Sequence, residues 1–281
     1  MDDESQRSDW HGAAQGGVAR RMSALSRSPL VMAHRTRTLA RLLVDIALLA
    51  ALIVPGAAAA EILAAPPDRP DPARIYLVYS HGQIVEGSDG RPVSAEFGPY
   101  EYAEILERLS REGFVVISGV RAANAELEEE ARKLQVQVRA LLDAGVPANH
   151  VVVVGVSKGG MIAIRAAHLL ANREIRYVIL SSFFAPYATR ADYLPYGEIL
   201  SIQDASDVLD LRPQDFLDDQ ARVPKSRILV THTGRGHGLG YTPRDEWVVP
   251  LVEWSGIATM RGAAERPRER EGPASSASPV P

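Results

Sequence analysis

The sequence predicts an α/β domain built on a mostly parallel, doubly wound sheet of about six strands. Three observations carry this. Short apolar runs of strand length alternate with longer segments of helical spacing from residue 75 to 254. The run Val151-Val152-Val153-Val154 suits a strand buried on both faces. Directly after it, Gly155-Val156-Ser157-Lys158-Gly159-Gly160 leads into the apolar helix Met161 to Leu170. That is a strand, a tight turn and a helix in succession.

The elements follow in order. Ile75 to Ser80 reads as the first buried strand, and it runs into His81-Gly82-Gln83 and a glycine-rich loop. Pro99 to Arg111 carries Tyr102, Ile105, Leu106 and Leu109 at helical spacing, and Gly113 stops it. Phe114 to Ser118 is a second strand. Glu126 to Ala144 is a long helix whose acidic start suits the positive end of the helix dipole. Gly145 and Pro147 end it. After the central strand and its helix come strands at Tyr177 to Ser181 and Ile199 to Gln203, a helix at Pro213 to Ala221, a last strand at Arg227 to His232, and a closing helix at Pro243 to Trp254.

The flanks read differently. Residues 1–31 are polar and irregular, an irregular leader or an upstream extension of the reading frame before a start at Met22 or Met32. Residues 32–60 run from basic residues through the apolar stretch Leu42 to Val54, then Pro55-Gly56, then four alanines. That order reads as a signal peptide, with an uncleaved N-terminal anchor as the alternative. The protein is therefore expected to be exported, periplasmic or secreted, with no stable membrane span after signal cleavage. Residues 61–73 are a Pro-rich linker, 74–260 the folded domain, and 261–281 a polar, Pro-rich tail expected to be disordered.

The 281 residues are 46% hydrophobic and 23% charged, enough for a sizeable core. A net charge of −4 argues against a nucleic-acid partner. The chain has no cysteine, which excludes disulfides, thiol nucleophiles and thiolate metal sites. No histidine pair has a metal-binding helical spacing, so no metal and no cofactor is called for. Oligomeric state is left open.

Gly-x-Ser-x-Gly is a weak motif alone and a stronger one between a buried strand and a helix. There the serine is held on a strained turn, with its hydroxyl projecting at the carboxyl end of the sheet. A nucleophilic serine needs a base, and the base needs an acid. Two later loops supply them. Asp204-Ala205-Ser206-Asp207 follows one strand, and Thr233 to Gly238 follows the next. His237 lies between two glycines in a polar loop. Asp207 has the better reach to it; Asp204 and Asp210 are rivals, with Asp204 close enough to the strand to cap the loop instead. His232, His168 and His150 are expected to be structural, with His232 turned into packing, and His11 and His34 lie outside the domain. An oxyanion hole needs two N–H groups. Lys158, first residue of the helix, offers one, with its side chain free to be solvated. The turn Gly82-Gln83 offers the other, Gln83 N–H being the expected donor. Phe183, Phe184, Pro186, Tyr187 and Tyr193 line an apolar acyl pocket or pack in the core.

His81-Gly82, Gly155-Val156-Ser157-Lys158-Gly159, Asp207 and Gly236-His237-Gly238 together resemble the α/β-hydrolase superfamily. The chain is most similar to small bacterial serine hydrolases of unassigned substrate. The resemblance implies about eight strands, the first two antiparallel; these early strands are expected to be missing, and residues 183–197 are too few for a large lid domain. It further implies a Ser-His-Asp triad of Ser157, His237 and Asp207, acting through an acyl-enzyme on a small-molecule ester or related acyl substrate. Two other classes stay open: a non-catalytic binding protein on the same fold, and a lyase or perhydrolase using the same triad.

Overall fold

The computed structural model describes residues 61–264. The leader, the signal or anchor segment at 32–60 and most of the tail lie outside the described residues.

The sheet has seven strands: β1 (Ile62–Leu63), β2 (Tyr76–Ser80), β5 (Val115–Ile117), β6 (Val151–Val156), β7 (Arg176–Leu180), β8 (Glu198–Asp204) and β9 (Ser226–Thr231). Their spatial order is β1-β5-β2-β6-β7-β8-β9, and every pairing is parallel. The six strands expected from the sequence are all present. The seventh, β1, is a two-residue edge strand on β5. No antiparallel strand joins this sheet among the described residues. A separate hairpin, β3 (Val93–Ser94) with β4 (Gly98–Pro99), stands in the loop after β2.

Alternation along the strands divides the core. Tyr76, Val78, Val151 and Val153 face one layer, with Leu134, Val138 and Leu141 of α2 (Leu127–Asp143) and Ile162 of α3 (Lys158–Leu170). Leu77, Tyr79, Val152 and Val154 face the other, with Ile105 and Leu109 of α1 (Tyr102–Arg111) and Trp247 and Leu251 of α5 (Asp245–Ser255). Burial on both faces explains why these strands read as unbroken apolar runs. The helix α4 (Gln214–Leu217) is one turn, shorter than its sequence suggested; Asp219 then takes the Ala221 N–H and the Arg222 guanidinium and turns the chain. The final helix, α6 (Ile257–Ala264), carries the chain beyond Trp254. Residues 183–197 form two short 3-10 turns, and no lid domain is built there.

Parallel strands put the loops that leave their carboxyl ends at one edge of the sheet. The loops after β2, β6, β8 and β9 therefore converge at the carboxyl edge of the sheet, where sites form in such sheets. Among the described residues no helix is long and apolar enough to cross a membrane.

Candidate active site

Ser157 joins β6 to α3 with φ 53° and ψ −121°, a conformation an L-residue rarely adopts. Its neighbours make that turn feasible. A Cβ at Gly159 would collide with the carbonyl oxygens of Ser80 and His81, and one at Gly155 would lie 2.5 Å from Gly160 Cα. Only glycine lets strand, helix and the β2 loop meet this closely. The Ser157 N–H donates to Leu180 O at 3.0 Å and pins the turn to β7.

Three expected residues come together. Ser157 Oγ lies 2.8 Å from His237 Nε2, and His237 Nδ1 lies 3.0 Å from Asp207 Oδ2. They are 80 and 30 residues apart in sequence. An ionised carboxylate can only accept, so the imidazole proton belongs on Nδ1. Nε2 is then the acceptor for the serine hydroxyl. The Asp207 side chain is 2% exposed and that of His237 17%. Burial pushes the Asp207 carboxyl up, but the hydrogen bonds from His237 and the Leu209 N–H outweigh it and hold the group below the usual carboxylate range.

Asp204 and Asp210 do other work. Asp204 is buried and accepts from Ser206 N–H and Oγ, Thr231 Oγ1, Thr233 N–H and Oγ1, and the N–H of Gly236. Its carboxylate staples the β8 loop to the β9 loop and so sets Asp207 against His237. Burial opposes its ionisation, yet the hydroxyl and N–H donors hold the carboxyl well below its ordinary value. Asp210 is an exposed partner of Arg212. Asp204→Asn puts an amide NH2 among donors and is expected to cost about 3 kcal/mol of stability at pH 7. A depressed folded pKa means that the carboxylate's stabilisation is complete above the unfolded value of about 3.9 and fades below it. Urea unfolding is therefore expected to show the gap between wild type and variant narrowing by about 1 kcal/mol between pH 7 and pH 3.

The β2 loop passes beside the elbow. A Cβ on Gly82 would sit 3.9 Å from Ser157 Cβ. The Gly82 N–H is already used by Tyr100 OH at 3.3 Å, which in turn bonds Tyr79 OH at 2.7 Å. Burial pushes the Tyr100 phenol up to about 12, so this pair stays neutral. The next residue, Gln83, is exposed and opens a 3-10 turn, Gln83–Val85; Lys158 opens α3. The first N–H groups of such turns have no partner inside them. His81 is fully buried, and burial followed by the Arg121 charge pushes it down to about 4. Its Nε2 accepts from the Arg121 N–H at 3.0 Å, which leaves Nδ1–H to donate to Gly82 O at 2.8 Å.

Several expectations need correction. The Lys158 side chain is not solvated: its Nζ lies 2.9 Å from the Glu86 carboxylate and donates to Ala125 O at 2.6 Å. A folded-back loop brings that carboxylate to it across 72 residues, which no local pattern announces. His232 does not point into packing but is exposed, because β9 is the outermost strand. His168 and His150 each bond a backbone carbonyl, Leu194 O and Pro72 O. The aromatic group divides. Phe183 is core, its ring tilted against Phe216 with centroids 5.1 Å apart, and Tyr187 packs tilted against Tyr193. Phe184 alone of these approaches His237, at 6.3 Å between centroids. On the hairpin side Phe97 lies 6.5 Å from the same ring, and sequence reasoning missed it. A Cβ on Gly238 would sit 2.6 Å from Phe97, so the glycine after His237 is the space the hairpin needs.

A phospholipase/carboxylesterase family model matches residues 117–194, a segment that includes Ser157 but neither Asp207 nor His237. No curated protein matches the sequence. Among solved structures, the chain is similar to esterase B of Lactobacillus rhamnosis inhibited by a tributyrin phosphonate, with 14% identity over 72% of this chain and 81% of that one and a TM-score of 0.46. It is also similar to the thermophilic esterase Est2 of Thermogutta terrifontis, with 13% identity over 70% and 86% and a TM-score of 0.45. The Pyrococcus furiosus esterase Pf2001 shares 16% identity over 67% and 82%, with a TM-score of 0.42.

Proposed function

We propose that this chain, an α/β-hydrolase of the esterase type, is an exported serine hydrolase that cleaves carboxylic esters of small molecules through an acyl-enzyme. The observation that carries the reading is the continuous contact from Ser157 Oγ through His237 to Asp207 at a strained elbow.

His237 Nε2 takes the Ser157 proton as Oγ attacks the ester carbonyl carbon. Asp207 holds the imidazole with Nδ1 protonated and stabilises the imidazolium that forms. The negative charge on the carbonyl oxygen is received by the N–H groups of Gln83 and Lys158, the second at a helix N-terminus whose dipole favours an anion. His237 returns its proton to the leaving alcohol, and the same steps with water release the acid. Phe97 and Phe184, each with its ring near the imidazole, limit water around it and favour an apolar group. Export rests on the basic, apolar, Pro-Gly, small-residue order of residues 32–60.

A fluorophosphonate probe is expected to label the wild-type protein and to leave Ser157→Ala unlabelled. Turnover of p-nitrophenyl esters, profiled over acyl chain length, is expected to disappear in the same variant. Labelling that survives the substitution defeats the assignment; a wild type that neither labels nor turns over is a binding protein on this fold.

A further inference from the structure

Glu86 closes the 3-10 turn that Gln83 opens, its N–H donating to Gln83 O at 3.0 Å. Its side chain is 3% exposed. A buried carboxylate is costly unless it is well paired. This one is held from two sides. Arg121 Nε reaches Oε1 at 3.1 Å, and Lys158 Nζ lies 2.9 Å away. Arg121 in turn gives Nη1 to Ser80 Oγ at 3.0 Å and Nη2 to His81 O, and its carbonyl takes the Gly87 N–H at 2.8 Å. One buried cation, Arg121, and one half-buried cation, Lys158, thus meet one buried anion.

The placement is more informative than the pairing. The two N–H groups assigned to the oxyanion belong to Gln83, on the β2 loop, and Lys158, at the N-terminus of α3. They must converge on one atom, and a misplacement of about 1 Å can cost about 100-fold in rate. The N-terminus of α3 is fixed by its strand and its glycine contacts. A three-residue turn is not self-supporting. The side-chain bond from Glu86 to Lys158 is the direct link between the turn that carries one donor and the residue that carries the other. We propose that Glu86 is a positioning residue for the oxyanion hole, locking the Gln83–Val85 turn to the N-terminus of α3 through the Lys158 ammonium while Arg121 holds it from behind. This rests on the serine-hydrolase reading above.

The test compares Glu86→Gln, Lys158→Met and the double variant with wild type on p-nitrophenyl acetate, with folded protein quantified by circular dichroism. Lys158→Met keeps the main-chain N–H and leaves Glu86 paired with Arg121, so it decides the question if Glu86→Gln fails to fold. Because the hole acts on the transition state, kcat is expected to fall about 100-fold with KM within about threefold. The double variant is expected to fall no further than Glu86→Gln alone, since both changes break one link. A kcat within about threefold of wild type in the folded variants overturns the proposal, as does an unchanged kcat with a raised KM or a fully multiplicative double variant. A wild type without turnover or probe labelling instead overturns the hydrolase reading, and the positioning role with it.

Discussion

His237→Ala is expected to lower kcat on p-nitrophenyl esters about a million-fold, close to the whole contribution of the Ser157-His237-Asp207 unit. The size follows from the geometry. Nε2 is 2.8 Å from Ser157 Oγ and is the only imidazole in contact with it among the described residues. A serine hydroxyl is a poor nucleophile without a base. His81, the other histidine of the loop cluster, is pushed down to about 4, and both its nitrogens are engaged, with Arg121 N–H and Gly82 O. It has no free lone pair to serve as a substitute. Stability is expected to hold, because the loop is fixed through the backbone: Gly236 N–H bonds Ser206 Oγ and Asp204, and Gly238 lies against Phe97. Steady-state kinetics with a parallel thermal melt checks both halves. A kcat loss below tenfold in a folded variant would mean that the proton goes elsewhere.

The legible parts of this chain are those whose physics is local. Val151 to Val154, Ile75 to Ser80 and Tyr177 to Leu180 are buried on both faces, so their composition alone marks them as strands. The elbow is legible because three glycine positions and a serine are needed within six residues. Asp207 and His237 followed from the rule that partner loops leave the carboxyl ends of later strands. What escaped depends on distant packing. β1 is two residues long, with Ile62 exposed and Leu63 half-buried, and only its register on β5 makes it a strand. The hairpin Val93–Pro99 has too few residues for a periodic signal, so Phe97 could not be assigned to the site. Glu86 and Lys158 are each unremarkable in sequence, and their bond exists only because the β2 loop folds back over the helix. The sequence allows Asp204 as the acid or as a cap; its six donors, from residues 206 to 236, show why proximity to the strand makes it the staple between loops.

The same two aspartates give the second large effect. Asp207→Asn is expected to reduce kcat about ten-thousand-fold with little change in Tm. One oxygen of Asp207 accepts the Leu209 N–H at 3.1 Å, and the other faces His237 Nδ1 at 3.0 Å. An asparagine has one oxygen, and the Leu209 N–H requires it. The amide NH2 is then turned to His237, where it donates and makes Nδ1 the acceptor. The imidazole proton moves to Nε2, which now points a donor at Ser157 Oγ and cannot take its proton. The loop keeps its hydrogen bonds while the base is lost. Asp204→Asn behaves in the opposite way: stability falls, and kcat per folded molecule stays within about tenfold of wild type, since the carboxylate touches no reacting group. Parallel kinetics and melts on the two variants separate an acid that orients the base from one that holds two loops together. Equal inactivation of both variants in their folded forms would sink the distinction, and an Asp207→Asn enzyme retaining a tenth of wild-type kcat would sink the role of Asp207.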